Sequence, residues 1–89
     1  MLKPARTKPF KKDFKKVLRQ RKEVEKLKAI MAKLAAQEEL DIKHRDHKLI
    51  GNFKDRRECH IEPDWLLIYK IEGDKIIFER TGSHSDLFE

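Results

Sequence analysis

Residues 53–81, FKDRRECHIEPDWLLIYKIEGDKIIFERT, decide the fold, because three strand-like runs follow one another there with a turn signal between each pair. From Phe53 to Ile61 the chain alternates, with Lys54, Arg56, Glu58 and His60 on one side and Phe53, Cys59 and Ile61 on the other. That is the period of a half-buried strand. Pro63-Asp64 turns the chain. Trp65 to Ile71 is apolar at odd and even positions alike, so this run needs cover on both faces and is expected as a central strand. Glu72-Gly73-Asp74-Lys75 then links it to a last strand from Ile76 to Thr81, which makes the pair a hairpin.

Upstream, the period changes. Phe10, Phe14, Val17 and Leu18 recur at helical spacing among lysines, which predicts an amphipathic helix over 9–21 with Pro9 near its first turn. A second helix is expected over 23–38, where Val24, Leu27, Ile30, Met31 and Leu34 fall on one stripe and no Gly or Pro intervenes. The two form a hairpin over one face of the sheet. Residues before Pro9 give a first strand, and Pro4, which lacks a backbone donor, assigns that strand to an edge. Glu39 to Asn52 reads as a polar loop carrying His44 and His47 and closed by Gly51-Asn52.

Eighty-nine residues with 38% hydrophobic content suffice for one small domain, spanning 1–89. Charge is lopsided: residues 1–30 hold 12 Lys/Arg against 3 acids, while the whole chain carries +6. A basic segment followed by a near-balanced one fits an electrostatic footprint for phosphate with the specific chemistry elsewhere, although most lysine runs are no more than a solvated helix face. Lys12, Lys15, Lys16 and Arg19 are the candidates for RNA backbone contact. Cys59 is the one cysteine, so no intrachain disulfide forms and its expected role is a small buried apolar group. No apolar run approaches the roughly 20 residues that span a bilayer, and the basic N-terminus leads into no signal-peptide core. A cytoplasmic protein with no membrane partner is expected.

Four histidines raise the question of a metal. His44-x-x-His47 and Cys59-His60 look like ligand pairs, but a structural zinc site draws on several thiolates at C-x-x-C spacing, so no metal or other cofactor is expected. His44 is read as a surface loop residue. Cleavage of RNA through its own 2′-hydroxyl gives these residues a different task, since it needs a base, cations on the phosphorane and an acid for the departing 5′-oxygen. His47, His60 and His84 each stand just outside or at the end of an expected strand, where a concave sheet face would bring them together. Trp65 and Phe88 offer faces for unstacked bases, with core packing an equal account of Trp65. Arg56, Arg57 and Arg80 are candidates to grip phosphate, or else to pair with Glu58, Glu62 or Glu79 across the sheet.

Three ordered blocks now carry a specific resemblance: Asp46 to Gly51, Arg57 to Tyr69, and Arg80 to Phe88. They resemble the YafQ-type toxins of the RelE/ParE superfamily, densely from His44 to Phe88 and in pattern only before that. The resemblance implies an α+β protein in which an N-terminal strand and a two-helix hairpin pack on a curved, largely antiparallel sheet. It implies a bacterial type II toxin, a ribosome-dependent and metal-independent endoribonuclease that cuts messenger RNA in the ribosomal A site. The family's functional positions fall on His47, His60, Asp64, Trp65, His84 and Phe88, with Arg80 where a phosphate-binding arginine belongs. His47 or His60 is then the base and His84 the acid. Expected partners are an acidic, DinJ-like antitoxin, the 70S ribosome with its message, and operator DNA through the antitoxin complex. Two other classes stand beside this reading, a ParE-like non-catalytic inhibitor of DNA gyrase and a basic nucleic-acid-binding regulator.

Overall fold

The computed structural model describes residues 1–49 and 55–88. The expected turn at Gly51-Asn52 and the start of the following strand at Phe53 and Lys54 lie outside the described residues. Strand β1 (Lys3–Arg6) leads into helices α1 (Lys8–Arg19) and α2 (Val24–Ala35). A 3₁₀ turn (Ile42–His44) precedes β2 (His47–Lys48), β3 (Arg57–Glu62), β4 (Trp65–Glu72), β5 (Lys75–Gly82) and helix α3 (His84–Phe88). The sheet runs β1-β5-β4-β3-β2, parallel between β1 and β5 and antiparallel elsewhere. The α+β, largely antiparallel architecture is therefore as expected.

Pro4 explains the place of β1. Lys3 and Thr7 donate to the β5-side carbonyls of Asp74 and Phe78 at 2.8 and 3.2 Å, so Pro4 has the opposite parity and its missing N–H removes no ladder bond. An edge strand tolerates that. Thr7 then starts α1 twice over: its hydroxyl accepts from the Phe10 amide at 3.1 Å and donates to the Glu79 carbonyl at 2.9 Å, which caps the helix and pins it to β5.

One core lies between the helices and the sheet. Phe10, Val17, Leu27, Ile30 and Leu34 meet Cys59, Ile61, Trp65, Leu67, Tyr69, Ile76 and Phe78 there, all buried. Leu18, expected on the buried stripe, is half exposed because α1 turns Phe10 and Val17 inward instead. The helices also spread across the sheet, α1 against β5 and α2 against β3, instead of packing chiefly on each other. Burial pushes the Cys59 thiol up to about 12, with Asp46 and Glu58 adding to the effect, so it acts as an inert apolar group.

Strand β4 is central and covered on both faces. Trp65, Leu67 and Tyr69 enter the main core, while Leu66 and Ile68 form a second cluster with Leu87 of α3 and Leu49. Irregular registers at His60/Glu62 and Ile68/Tyr69 bend the strands, as bulges do. Among the described residues, no helix is long and apolar enough to cross a membrane.

Both long helices end in residues other than glycine at left-handed φ. Arg21 (57°) and Gln37 (61°) follow α1 and α2, and each is closed by paired bonds, Arg21 N–H to Leu18 and Lys22 N–H to Val17, Gln37 N–H to Leu34 and Glu38 N–H to Lys33. This is the Schellman arrangement, in which glycine is preferred. It stops α2 three residues short of the expected Glu38 with no Gly or Pro to mark the end. Replacing Gln37, an exposed side chain, with Gly should therefore stabilise the fold by about 0.5–1 kcal/mol. The check is the midpoint of urea unfolding, which should rise in Gln37→Gly and fall in Gln37→Val.

Candidate active site

Alternation along β3 sends Cys59 and Ile61 into the main core and turns Glu58 and His60 to the opposite face. The register sets Glu58 beside Ile68 and Arg80, and His60 beside Leu66 and Gly82, in neighbouring rows. His47, on β2, pairs with Glu58. The result is a carboxylate between two imidazoles: Glu58 Oε2 lies 3.3 Å from His47 Nε2 and 3.6 Å from His60 Nε2, with the Glu58 side chain only 8% exposed. In each ring Nδ1 meets a carbonyl, Arg45 for His47 and Pro63 for His60. A carbonyl only accepts, so Nδ1 carries the proton and Nε2 is the nitrogen turned toward Glu58.

The acidic tail arrives from the other side. Ser83 and Asp86 form a reciprocal cap, Ser83 N–H to the Asp86 carboxylate and Asp86 N–H to Ser83 Oγ, both 3.1 Å. That is a capping-box arrangement, with Asp in place of the usual Glu. Gly82 precedes it at φ 156°, where a Cβ would stand 3.1 Å from the Asp86 side chain and press on the cap. Lys16 of α1 binds Asp86 at 2.6 Å, and this bond, followed by that from Ser83 N–H, holds the carboxyl down at about 2. Leu87 docks the short helix on Leu66 and Ile68.

So fixed, His84 faces His60, with ring centroids 5.8 Å apart, and Phe88 one turn later, at 6.3 Å. Asp64 accepts from both the His84 amide (3.0 Å) and its Nδ1 (2.7 Å), bonds that hold the Asp64 carboxyl below its ordinary range. His84 Nε2 is left for other chemistry. His60 and His84 also line a cleft of about 910 Å³ running toward α2 and the 3₁₀ turn.

His47, His60, Asp64, His84 and Phe88 thus come together. Three other expected site residues are placed differently. Trp65 is fully buried and donates to Thr81 at 3.0 Å, so its ring has no face for a base and serves as core. Arg57 lies on the helix-facing side of the sheet, held by Tyr69 and Asp46, because its parity is opposite to that of His60. Arg80 shares the histidine face but forks onto Asp13 through Nε (2.6 Å) and Nη2 (3.1 Å), leaving its other N–H groups for a ligand. Lys12, Lys15 and Arg19 are exposed on α1, whereas Lys16 is the tether of α3. His44 does not join the group; it donates to the His60 carbonyl at 2.7 Å.

Sequence reasoning overlooked Glu58 and α3. Glu58 stands two residues before His60 on an alternating strand, which places the two on one face, and Ser83-x-x-Asp86 is a readable helix start. Among the described residues, no three His, Cys, Asp or Glu side chains are disposed to hold a metal ion. Between His47 and His60 stands the Glu58 oxygen itself.

Fold and side chains together define a small α+β protein with an acid–base group on the open face of its sheet. The model of the family described as the bacterial toxin of type II toxin-antitoxin system, YafQ, matches residues 2–89, and the chain belongs to that family. It is 41% identical over 80 residues to the mRNA interferase toxin YafQ of Escherichia coli K12, covering 89% of this chain and 87% of that one. Two solved structures are similar throughout. A copper-bound mutant toxin from Helicobacter pylori shares 43% identity with a TM-score of 0.94, covering 99% of this chain and all of that one. The toxin in the E. coli DinJ-YafQ complex shares 37% with a TM-score of 0.91, both chains fully covered.

The tether of α3 is testable. Asp86 lies below its ordinary 3.8 when folded, so the stability it lends is complete at neutral pH and is lost as pH falls toward 2. Asp86→Ala should remove it at every pH, and losing such a cap typically costs about 0.5–2 kcal/mol. Hydrogen exchange at neutral pH should then quicken in residues 84–88 and leave β4 protected. Equal protection of α3 in both proteins would refute the tether.

Proposed function

We propose that this protein is a type II toxin that cleaves messenger RNA in the ribosomal A site, without a metal, by acid–base chemistry on the open sheet face. The observation that carries the reading is the facing pair His60 and His84, 5.8 Å apart, each with its Nδ1 already committed to an acceptor on its own side. Nε2 is then the working nitrogen of both rings.

His47 and His60 share Glu58, so a proton drawn from the RNA 2′-hydroxyl by either ring enters a group of three that can spread it. The 2′-oxygen attacks the phosphorus and the bond to the 5′-oxygen breaks. Arg80, through the N–H groups that Asp13 leaves, holds the phosphorane's charge, and His84 Nε2 protonates the departing oxygen. Asp64 fixes the tautomer and orientation of His84. Phe88, 41% exposed beside His84, is the surface on which a base stacks in place of the buried Trp65. No step is routed through a metal, although an H. pylori relative is described as copper-bound.

The +6 charge suits ribosomal RNA and an acidic antitoxin alike, and the E. coli relative's complex with DinJ supports the second. Operator DNA is reached through that antitoxin complex. Protein and partners meet in the bacterial cytoplasm, and Lys12, Lys15 and Arg19 add affinity for the RNA backbone. The mRNA interferase activity named for the E. coli relative supports the reaction class.

His84→Gln keeps a hydrogen-bonding side chain of similar reach and removes proton transfer. Single-turnover cleavage of a message on programmed ribosomes should slow by about 10²–10⁴, with circular dichroism and antitoxin affinity unchanged. Near-normal cleavage by the folded variant would take His84 out of the chemistry.

A further inference from the structure

Lys33, Lys43 and Arg45 take no part in the chemistry above, and no ion pair ties any of them to another described residue. All three are exposed, Lys33 on α2 and the others on and after the 3₁₀ turn. They come together on the cleft of about 910 Å³ that His60 and His84 also line. Its volume falls within the roughly 300–1,000 Å³ of pockets that enclose a small ligand. Among the described residues the one carboxylate lining it, Glu62, is already bound by Lys26 at 2.9 Å. Cations therefore prevail along this wall.

The cleft also has apolar surface. Ala29 and Pro63 are exposed within it, over the buried Ile30 and Ile61. Apolar surface of this kind suits a base, and charges at the rim suit a phosphate.

We propose that this cleft holds the nucleotide adjoining the cut phosphate, with its base over Ala29 and Pro63 and its outer phosphate among Lys33, Lys43 and Arg45. The proposal rests on the nuclease reading for the identity of the ligand. Continuity decides between polyanions: the cleft opens onto His60 and His84, so an RNA strand with its cut phosphate between those rings must continue along one side of them. An acidic peptide of the antitoxin is the competing occupant. It has no need to reach the histidines.

The test separates binding from cutting. A short oligoribonucleotide with 2′-O-methyl riboses cannot be cut through the 2′-oxygen, and its affinity is measured by fluorescence anisotropy over a salt series. Lys33→Gln/Lys43→Gln/Arg45→Gln should bind at least tenfold more weakly at low salt. The slope of log affinity against log salt should shrink by about 0.7, the share of one phosphate contact on a single strand. Ala29→Glu, which adds a carboxylate to the cleft at an exposed helix position, should give a similar loss, with circular dichroism and antitoxin affinity unchanged in both. Failure of the unmodified protein to bind the oligonucleotide, or variant affinity within twofold of it, overturns the proposal. So does a variant that loses antitoxin but keeps RNA, which would give the cleft to the peptide. Weakened RNA binding together with unimpaired cutting by His84→Gln would keep the cleft and discard the assigned chemistry.

Discussion

The first five residues of β4, Trp65 to Tyr69, are buried on both faces of the sheet, and the rest of the molecule follows from the need to cover them twice. Trp65, Leu67 and Tyr69 take α1 and α2 on one side, which uses both long helices. Leu66 and Ile68 on the other side pack, among the described residues, against Leu87 and Leu49. Fully burying a leucine is worth about 1.5–3 kcal/mol, and a five-residue helix has no stability of its own, so α3 exists because it is docked. Its first residue is His84. Covering Leu66 thus delivers an imidazole to the sheet position beside His60.

The cations of the site are restrained by carboxylates. Asp13 forks onto Arg80, Asp86 holds Lys16, Asp64 orients His84, and Glu58 stands between His47 and His60. This arrangement reconciles a strongly basic chain with a site of defined geometry, since each long or rotatable side chain has an acceptor that fixes it. It leaves unengaged the nitrogens a phosphate would meet: His84 Nε2 and the remaining N–H groups of Arg80. Asp13 serves the fold as well, accepting the Thr81 amide at 3.1 Å beyond the end of β1, where β5 would otherwise present a bare edge.

Much of this is legible in the amino-acid sequence. Two-sided apolar content marks Trp65 to Ile71 as central, Pro4 marks β1 as an edge, and the strand ends carrying His47, His60 and His84 mark the site. Parity limits the rest. Arg57 and His60 are three residues apart on one strand and so face opposite ways, and Trp65 shares parity with Leu67 and Tyr69 in the core. Long-range partners such as Asp13 for Arg80, 67 residues apart, leave no trace in local pattern. Neither do helix ends closed at Arg21 and Gln37, where the bonds of a Schellman turn form without the glycine that usually announces them.

In the proposed reaction His47 or His60 takes the proton of the 2′-hydroxyl, the 2′-oxygen attacks the phosphorus and His84 protonates the departing 5′-oxygen. The chemical form of the cut ends tests it most directly. Message cleaved on ribosomes should carry a 5′-hydroxyl on one fragment and a 2′,3′-cyclic phosphate or 3′-phosphate on the other, because the 2′-oxygen stays bonded to phosphorus when the 5′-oxygen leaves. A 5′-phosphate with a 3′-hydroxyl would mean that water, and not the 2′-oxygen, attacked the phosphorus, and the histidines would then have a different task.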